Sequence, residues 1–426
     1  MRLDKNVEWL NEYLPYMAPV LSFSDIVIQR GQGSYVWDMN GEKFLDLNCG
    51  QFCAAFGHSN PDVAEVVKTI TGKIQDTNTS TLNEDCLVAA KKMNEICLGM
   101  NGKTIFLSTG AEANECCLRY AKHLSGNRPG VISFDVAYHG LSHGTEGYSM
   151  ARKHVKPGLE HAYVVDMPKI HDTDADNDEE IERCLNQFEN IMAENGQQIA
   201  VAIFEPIASS GGFYMGSKKY FQRVREICDQ YQVFLAFDEC QTGFGRTGNW
   251  FAYQQLECIP DFLICAKSIG LGYPVSAVVF RDKLISGGTF KMQHYSSHQN
   301  EPFSGAIVSF AIEYIKSKNL LGHISTMGDY LLSMLRELSQ KHRLMIYPRG
   351  MGLMCAFDLN FPQDSNTLEM GTQFCKTALN HGIMIQQCNS GKTIRLLPSY
   401  LVTKAELDYF CTQLDETLKT CEEQQK

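Results

Sequence analysis

The sequence predicts an α/β protein built around a mainly parallel sheet, and three observations carry that expectation. Short apolar runs recur through the middle of the chain: TIFLS (104–108), GVISF (130–134), AVAIF (200–204), VFLAF (233–237), DFLIC (261–265) and SAVVF (276–280). Runs this apolar suit strands buried on both faces, and amphipathic segments between them, such as EANECCLRYAKHLSG, supply helical crossovers. At 426 residues the chain is also long for one core, so a large domain with a smaller companion is expected.

Composition is that of an ordinary globular protein, 44% hydrophobic and 20% charged, and a formal charge of -11 argues against nucleic acid or an anionic membrane as the main partner. The first twenty residues, MRLDKNVEWLNEYLPYMAPV, interrupt every apolar run with charge or proline, so neither a signal peptide nor an anchor is expected there. No stretch reaches the roughly eighteen apolar residues of a membrane span. A soluble, cytoplasmic protein is the expectation. The sixteen cysteines are scattered singly apart from Cys116 and Cys117, with no C-x-x-C, and the twelve histidines show no H-E-x-x-H spacing. Disulfide and zinc frameworks are therefore disfavoured, and no transition metal is assigned. The acidic stretch HDTDADNDEEIER (171–183) reads as a solvated loop entering a helix.

In parallel sheets ligands sit beyond the carboxyl ends of the strands, so the residues after each run are the ones to read. TIFLS is followed by TGAEAN, GVISF by DVAYHG, AVAIF by EPIASSGG, VFLAF by DECQTGFGRTG and DFLIC by AKSIGLG. STGAEAN places small residues at a strand-to-helix turn, where the amides of Gly110 and Ala111 can approach an anion; a plain cap by Ser108 or Thr109 is the simpler reading. Tyr138 can stack on a ring, although a lone tyrosine more often just packs. Asp238 and Glu239 end an apolar strand, a costly place for charge unless something cationic meets it. Lys267 follows DFLICA, and burial there would lower its pKa and make it a nucleophile or Schiff-base former. A lone lysine in a loop is usually solvated, but Asp238 at a neighbouring strand end changes the balance. A carboxylate is what keeps a pyridine nitrogen protonated, and lysine plus aspartate is the minimal protein signature of pyridoxal phosphate chemistry.

A dinucleotide site competes on paper, since Gly243, Gly245 and Gly248 form G-x-G-x-x-G with Asp261 eighteen residues beyond the first. The nicotinamide-oxidoreductase reading fails on context, because the strand ends at Asp238, five residues early, and NWFAY follows where a helix should start. A non-catalytic scaffold would leave the polar groups at the strand ends unexplained.

With these residues assembled, the chain resembles the class III aminotransferases, a family of fold type I pyridoxal-phosphate enzymes, over nearly its whole length. DECQTGFGRTG is the most specific part of the match. The resemblance implies catalytic roles for Lys267, as Schiff-base lysine, and Asp238, paired with the pyridine nitrogen. It implies Gln241 on the ring hydroxyl, Gly110 and Ala111 on the phosphate, Tyr138 stacked on the ring with His139 and Gly140 completing that loop, and Ser297 reaching the neighbouring subunit's phosphate. Arg395, in TIRLLPSYL, matches the arginine that grips the substrate carboxylate, although Ser399 stands where a second proline is usual. Glu205 would face the substrate or balance an arginine.

Within the family the chain looks closest to the dialkylglycine decarboxylase branch. That likeness places Gln51, in GQFCAAFGH, and Ser210, in EPIASSGG, near the substrate carboxylate, and maps an alkali-ion site onto Thr79, Ser297, Gln299 and Glu301. Tyr138 departs from that branch, which has a tryptophan there, and ordinary transamination is the preferred reading. The architecture implied is residues 1–55 as the N-terminal part of a small α/β domain, 56–310 as the large cofactor domain and 311–426 as the C-terminal part of the small domain. A homodimer with shared sites is implied, acting on an amino acid or amine and an oxo acid.

Overall fold

The computed structural model describes residues 4–20, 23–149, 161–171, 177–285 and 294–424. Among these, seven strands form the central sheet in the order Lys103–Leu107, Ser276–Phe280, Phe262–Cys265, Phe234–Asp238, Ile199–Phe204, Gly130–Phe134 and Ala162–Val165. All six apolar runs of the sequence lie in it, and the five residues of Gly130–Phe134 and of Ser276–Phe280 are buried throughout, as strands covered on both faces must be. The edge strand Ala162–Val165 carried no comparable signal, being only partly buried at three of its four positions.

One strand departs from the parallel pattern: Ser276–Phe280 pairs antiparallel with both of its neighbours. A parallel return needs a crossover of a dozen or more residues, usually helical, and only residues 266–275 separate it from Phe262–Cys265. The remaining strands are parallel, with Asp238 opposite Ile264 and Phe237 opposite Phe204. Their carboxyl ends form one rim, at which helix Gly110–Leu124 begins and Lys267 follows its strand.

Both chain ends contribute to smaller sheets. Strands Ile28–Gln32, Tyr35–Asp38 and Lys43–Asp46 are joined by Ile383–Met384, which lies parallel to Lys43–Asp46. A second sheet holds Met345–Met351, Met354–Leu359, Thr393–Leu396 and Gln386–Cys388, and Leu397 N–H donates to Leu47 O at 2.7 Å across the two ends of the chain. Helix Pro302–Ser317 packs on helices Pro61–Lys73 and Glu84–Ile96, so the 310/311 division expected from the sequence falls inside it. The acidic stretch becomes helix Asp178–Asn195 with Asp178, Glu179 and Glu180 in its first turn; residues 172–176 lie outside the described residues. Among the described residues no helix is long and apolar enough to cross a membrane, and no cluster of side chains has the makings of a transition-metal site.

Candidate active site

Asp238 ends its strand with its side chain buried, 4% exposed. Burial alone would raise its carboxyl; the hydrogen bond and charge of His139, the bond from Cys240 and the charge of Lys267 outweigh it and hold the group below its ordinary value. Asn114 Nδ2 donates to Oδ2 at 2.8 Å, His139 Nδ1 meets the same oxygen at 2.8 Å, and Cys240 N–H donates to Oδ1 at 3.1 Å. An ionised carboxylate only accepts, so His139 carries its proton on Nδ1. These donors fill all but one of the roughly four acceptor positions of a carboxylate.

Asn114, one turn into helix Gly110–Leu124, was invisible to sequence reasoning. Its amide bridges Asp238 and the carbonyl of His139, at 3.0 Å, from a position 1% exposed. The signal that existed was a polar residue on the buried face of an otherwise apolar helix stripe, with Cys117, Leu118 and Ala121. His139 is fixed in turn by Ser149, whose Oγ accepts from its amide at 2.9 Å and donates to Gly140 O at 2.6 Å.

Lys267 follows its strand at φ 52°, a left-handed conformation that costs a non-glycine residue about 1–3 kcal/mol and is retained where the surroundings dictate it. It opens the short 3₁₀ turn Lys267–Gly270, and its charge acts on Asp238, Glu205, Cys53 and Cys240. Gly110 sits where a Cβ would come 2.9 Å from Cys240 Sγ, so the helix start packs closely against the Asp238 loop. Thr109 caps this helix, its Oγ1 accepting from Glu112 N–H at 3.2 Å, and Glu112 reaches back to Ser108 N–H at 3.0 Å. The amides of Gly110 and Ala111 have no acceptor among the described residues. The cap therefore leaves these two amides open.

Gln241 is oriented by Ser209, whose Oγ donates to its Oε1 at 2.8 Å; the amide nitrogen is left as the donor face. Glu205 accepts from Tyr138 N–H at 2.7 Å, and burial pushes its carboxyl up to about 7. Glu239 reaches about 7 for the same reason, but its oxygens are spent on local structure. They accept from the amides of Ala252 and Tyr253, at 2.7 and 2.8 Å, and from Thr242 Oγ1 at 2.9 Å. Glu239 thus caps helix Ala252–Leu256, and only Asp238 of the carboxylate pair faces the rim.

Arg246 of the same stretch is fully buried, donating from Nη1 to the carbonyls of Leu353 and Pro398 and lying 4.5 Å from the Tyr400 ring centroid. It ties the glycine-rich turn to the C-terminal sheet. The dinucleotide alternative fails on geometry: residues 240–248 form turns that lead to no helix before Ala252, and Asp261 is held by Arg225 at 2.9 Å, Lys283 at 2.6 Å and Leu235 N–H at 2.9 Å.

Arg395, 5% exposed, donates from Nη2 to Gln386 Oε1 at 2.7 Å and from Nη1 to Ser210 Oγ at 3.4 Å, with its guanidinium carbon 4.4 Å from the Phe52 ring centroid. Ser210 and Arg395 are thus brought together as the sequence suggests, whereas Gln386 carried no signal of its own. Gln51 is exposed on a kinked turn, Cys49–Phe52, in which Gly50 and Phe52 have φ of 66° and 65°. Ser297 is exposed on the turn before helix Pro302–Ser317, and Asn300 docks that turn on the central sheet by exchanging bonds of 2.9 and 3.0 Å with Phe106. Of the alkali-ion positions, Thr79 is half-buried on a separate turn, Gln299 has a buried Oε1 without a partner among the described residues, and Glu301 pairs with His298.

These residues fit pyridoxal phosphate. Two open amides at a helix N-terminus suit its phosphate, the last acceptor position of Asp238 suits a ring N–H, the Gln241 amide suits a ring oxygen and Lys267 supplies an amine.

The comparisons with known proteins agree. The model of the family described as aminotransferase class-III matches residues 16–418. The chain is similar to an acetylornithine/succinyldiaminopimelate aminotransferase of Photorhabdus laumondii, 26% identical over 414 residues that cover 96% of this chain and 97% of that one. Its fold is similar to that of a transaminase from the marine bacterium Virgibacillus (TM-score 0.89, 22% identity, 99% and 100% of the two chains). An amine transaminase of an uncultivated Pseudomonas species, solved in its PLP-bound form, is also similar (TM-score 0.87, 24% identity, 95% and 98%).

Proposed function

The chain belongs to the class-III aminotransferases, and from that premise we propose how its residues divide the work. It is a pyridoxal 5′-phosphate-dependent aminotransferase, passing an amino group from an amino donor to an oxo acceptor. When bound, pyridoxal phosphate supplies an aldehyde that captures the amine and a protonated ring that withdraws electrons from a bond at the amine's carbon. Lys267 Nζ holds that aldehyde between turnovers and afterwards moves the proton taken from the donor's Cα. Asp238, kept ionised by Asn114 and His139, holds the ring N–H, while the Gln241 amide meets the ring oxygen. Gly110 and Ala111 bind the phosphate and Tyr138 covers the ring. Arg395 grips the donor's carboxylate with Ser210 beside it, and Gln51 and Glu205 are assigned to the substrate by the family resemblance.

Ser297, exposed on its turn, reaches the phosphate bound by a second copy, so the working unit is a homodimer. The dialkylglycine decarboxylase likeness would put an alkali ion, where one is bound, at Thr79, Ser297, Gln299 and Glu301 beside that contact. The large domain ends with helix Pro302–Ser317, after which the chain joins residues 1–55 in the small domain.

The single observation that carries this reading is the meeting at one rim of an ionised buried Asp238 and a lysine held in left-handed backbone. Transamination is favoured over the decarboxylating branch because Arg395 is already held for a carboxylate, whereas Gln51 sits on an exposed turn. Single-turnover reaction of the holoenzyme tests it. L-alanine should give pyruvate and pyridoxamine phosphate, and 2-aminoisobutyrate, which lacks a Cα–H, should release no CO₂. Brisk CO₂ and acetone from 2-aminoisobutyrate would reverse the choice.

A further inference from the structure

Ser209 lies fully buried in the loop between strands Ile207–Ala208 and Tyr214–Met215, and that loop is anchored on the C-terminal part of the chain. Arg349, 1% exposed, donates from Nε to Phe213 O at 3.2 Å and from Nη2 to the Gly212 carbonyl. Cys388 Sγ donates to Ser209 O at 3.4 Å, and Asn389 N–H donates to Ser210 O at 3.3 Å. From this fixed backbone the Ser209 hydroxyl crosses to the stretch DECQTG and donates to Gln241 Oε1 at 2.8 Å. Among the described residues this is the one hydrogen bond made by the Gln241 side chain. A carboxamide has an acceptor end and a donor end, and a serine hydroxyl has one proton to give. With the acceptor end engaged, Gln241 turns its Nε2 toward the rim; the reversed amide would turn its carbonyl there.

We propose that Ser209 is a positioning residue for the cofactor's ring oxygen, because it sets which end of the Gln241 carboxamide meets that oxygen. The donor end stabilises negative charge on the ring oxygen, whereas the carbonyl end repels it. Ser209 fixes this orientation before the cofactor arrives, so the donor is preorganised and nothing has to turn when charge develops. This inference rests on Gln241 contacting the ring oxygen, and the test separates the two claims.

Wild-type, Ser209→Ala, Ser209→Thr, Gln241→Ala and the double Ser209→Ala, Gln241→Ala holoenzymes are titrated with pH, following the cofactor's visible band, and each apoprotein is titrated with pyridoxal phosphate. The midpoint of the band reports loss of the proton shared by the Lys267 nitrogen and the ring oxygen, which leaves that oxygen negative and favoured by a donor. Gln241→Ala should raise the midpoint by about one pH unit, the order of one hydrogen bond to a charged group. Ser209→Ala should raise it by about 0.3 units or more and weaken cofactor binding about 2-fold or more, since an unbiased amide offers its donor end only about half the time. Ser209→Thr keeps the hydroxyl and should match the wild type. In the Gln241→Ala background, Ser209→Ala should add no further shift of the midpoint, which a general packing defect would still cause. A wild-type midpoint in Ser209→Ala with a raised one in Gln241→Ala would overturn the inference and leave the Gln241 contact standing. So would a Ser209→Thr midpoint raised as far as that of Ser209→Ala, or a full Ser209→Ala shift in the double variant. A wild-type midpoint in Gln241→Ala would remove the contact and this inference together. Should Ser209→Ala yield no holoenzyme, Ser209→Cys, a weak donor, takes its place: its midpoint should rise, and a wild-type value would overturn the inference.

Discussion

At the scale of single residues the chemistry hangs on Asp238 keeping its charge in a buried place. His139, the bond from Cys240 and the charge of Lys267 do this, while Asn114 shares Oδ2 with His139, leaving one acceptor position on the carboxylate. Asp238→Asn, which cannot hold a ring proton in the same way, should slow the single-turnover step by on the order of 10²-fold or more while cofactor binding changes far less. Equal loss of both in a binding titration would make Asp238 a structural residue. Glu205 offers a pH handle, because burial raises it to about 7. Below that pH it is neutral, and above it adds a negative charge beside Asp238 and the Tyr138 loop; bordering the substrate as proposed, it should raise the KM for an amino-acid donor as pH passes through 7. Glu205→Gln should flatten that rise; the same slope in the variant would assign the titration elsewhere. Glu239 titrates in the same range but is enclosed by Thr242 and the amides of Ala252 and Tyr253, so it should not contribute. The places of Asp238 and Lys267 were legible in the sequence because each follows an apolar strand, whereas Arg395 was singled out only by the family resemblance of TIRLLPSYL. Asn114 and Gln386 were not, because their roles depend on partners 124 and 9 residues away that only packing identifies.

At the scale of elements, strand ends and helix starts place these side chains. The phosphate-side helix is pressed against the Tyr138 loop at Gly140, whose φ is 106° and where a Cβ would lie 2.5 Å from Ala111 Cβ. Gly140→Ala should destabilise the fold by roughly 1–3 kcal/mol or more through strain and overlap. It should also weaken cofactor binding, since Ala111 must shift; a variant with both denaturation midpoint and cofactor affinity unchanged would contradict the close approach. The six apolar runs located the sheet correctly, and the direction of Ser276–Phe280 was available too, in the ten residues that separate it from the Lys267 strand. Ala162–Val165 escaped because an edge strand need be apolar on only part of its surface. Docking of the Ser297 turn through Asn300 escaped because a single asparagine replaces a strand there.

At the scale of the whole molecule, the chain's two ends fold into two smaller sheets, the one built from residues 345–396 carrying Arg395, while its middle carries Asp238 and Lys267. Length and the family resemblance anticipated that division; composition alone did not. The buried charges also give the molecule a pH profile. Glu205 and Glu239 have folded values near 7, above those of an unfolded chain, so their contribution to stability is full below the unfolded value and lost as pH rises through 7. Asp238, Asp261 and Asp415 are lowered, so theirs is present above the unfolded value and lost on acidification below it. Stability measured by denaturant titration should therefore decline from pH 5 to 8 as well as below pH 4, and Glu239→Gln should shrink the alkaline decline. A profile that rises steadily to pH 8 would mean the buried glutamates are ionised in the folded protein.

In the proposed site all of these residues converge on one pyridoxal phosphate attached to Lys267. Borohydride reduction of the purified holoenzyme, followed by proteolysis and mass mapping, tests it most directly. A stable pyridoxyl adduct is expected on the peptide containing Lys267, absent in Lys267→Ala. An adduct confined to another lysine, or a Lys267→Ala protein that turns over substrate at the wild-type rate, would contradict it.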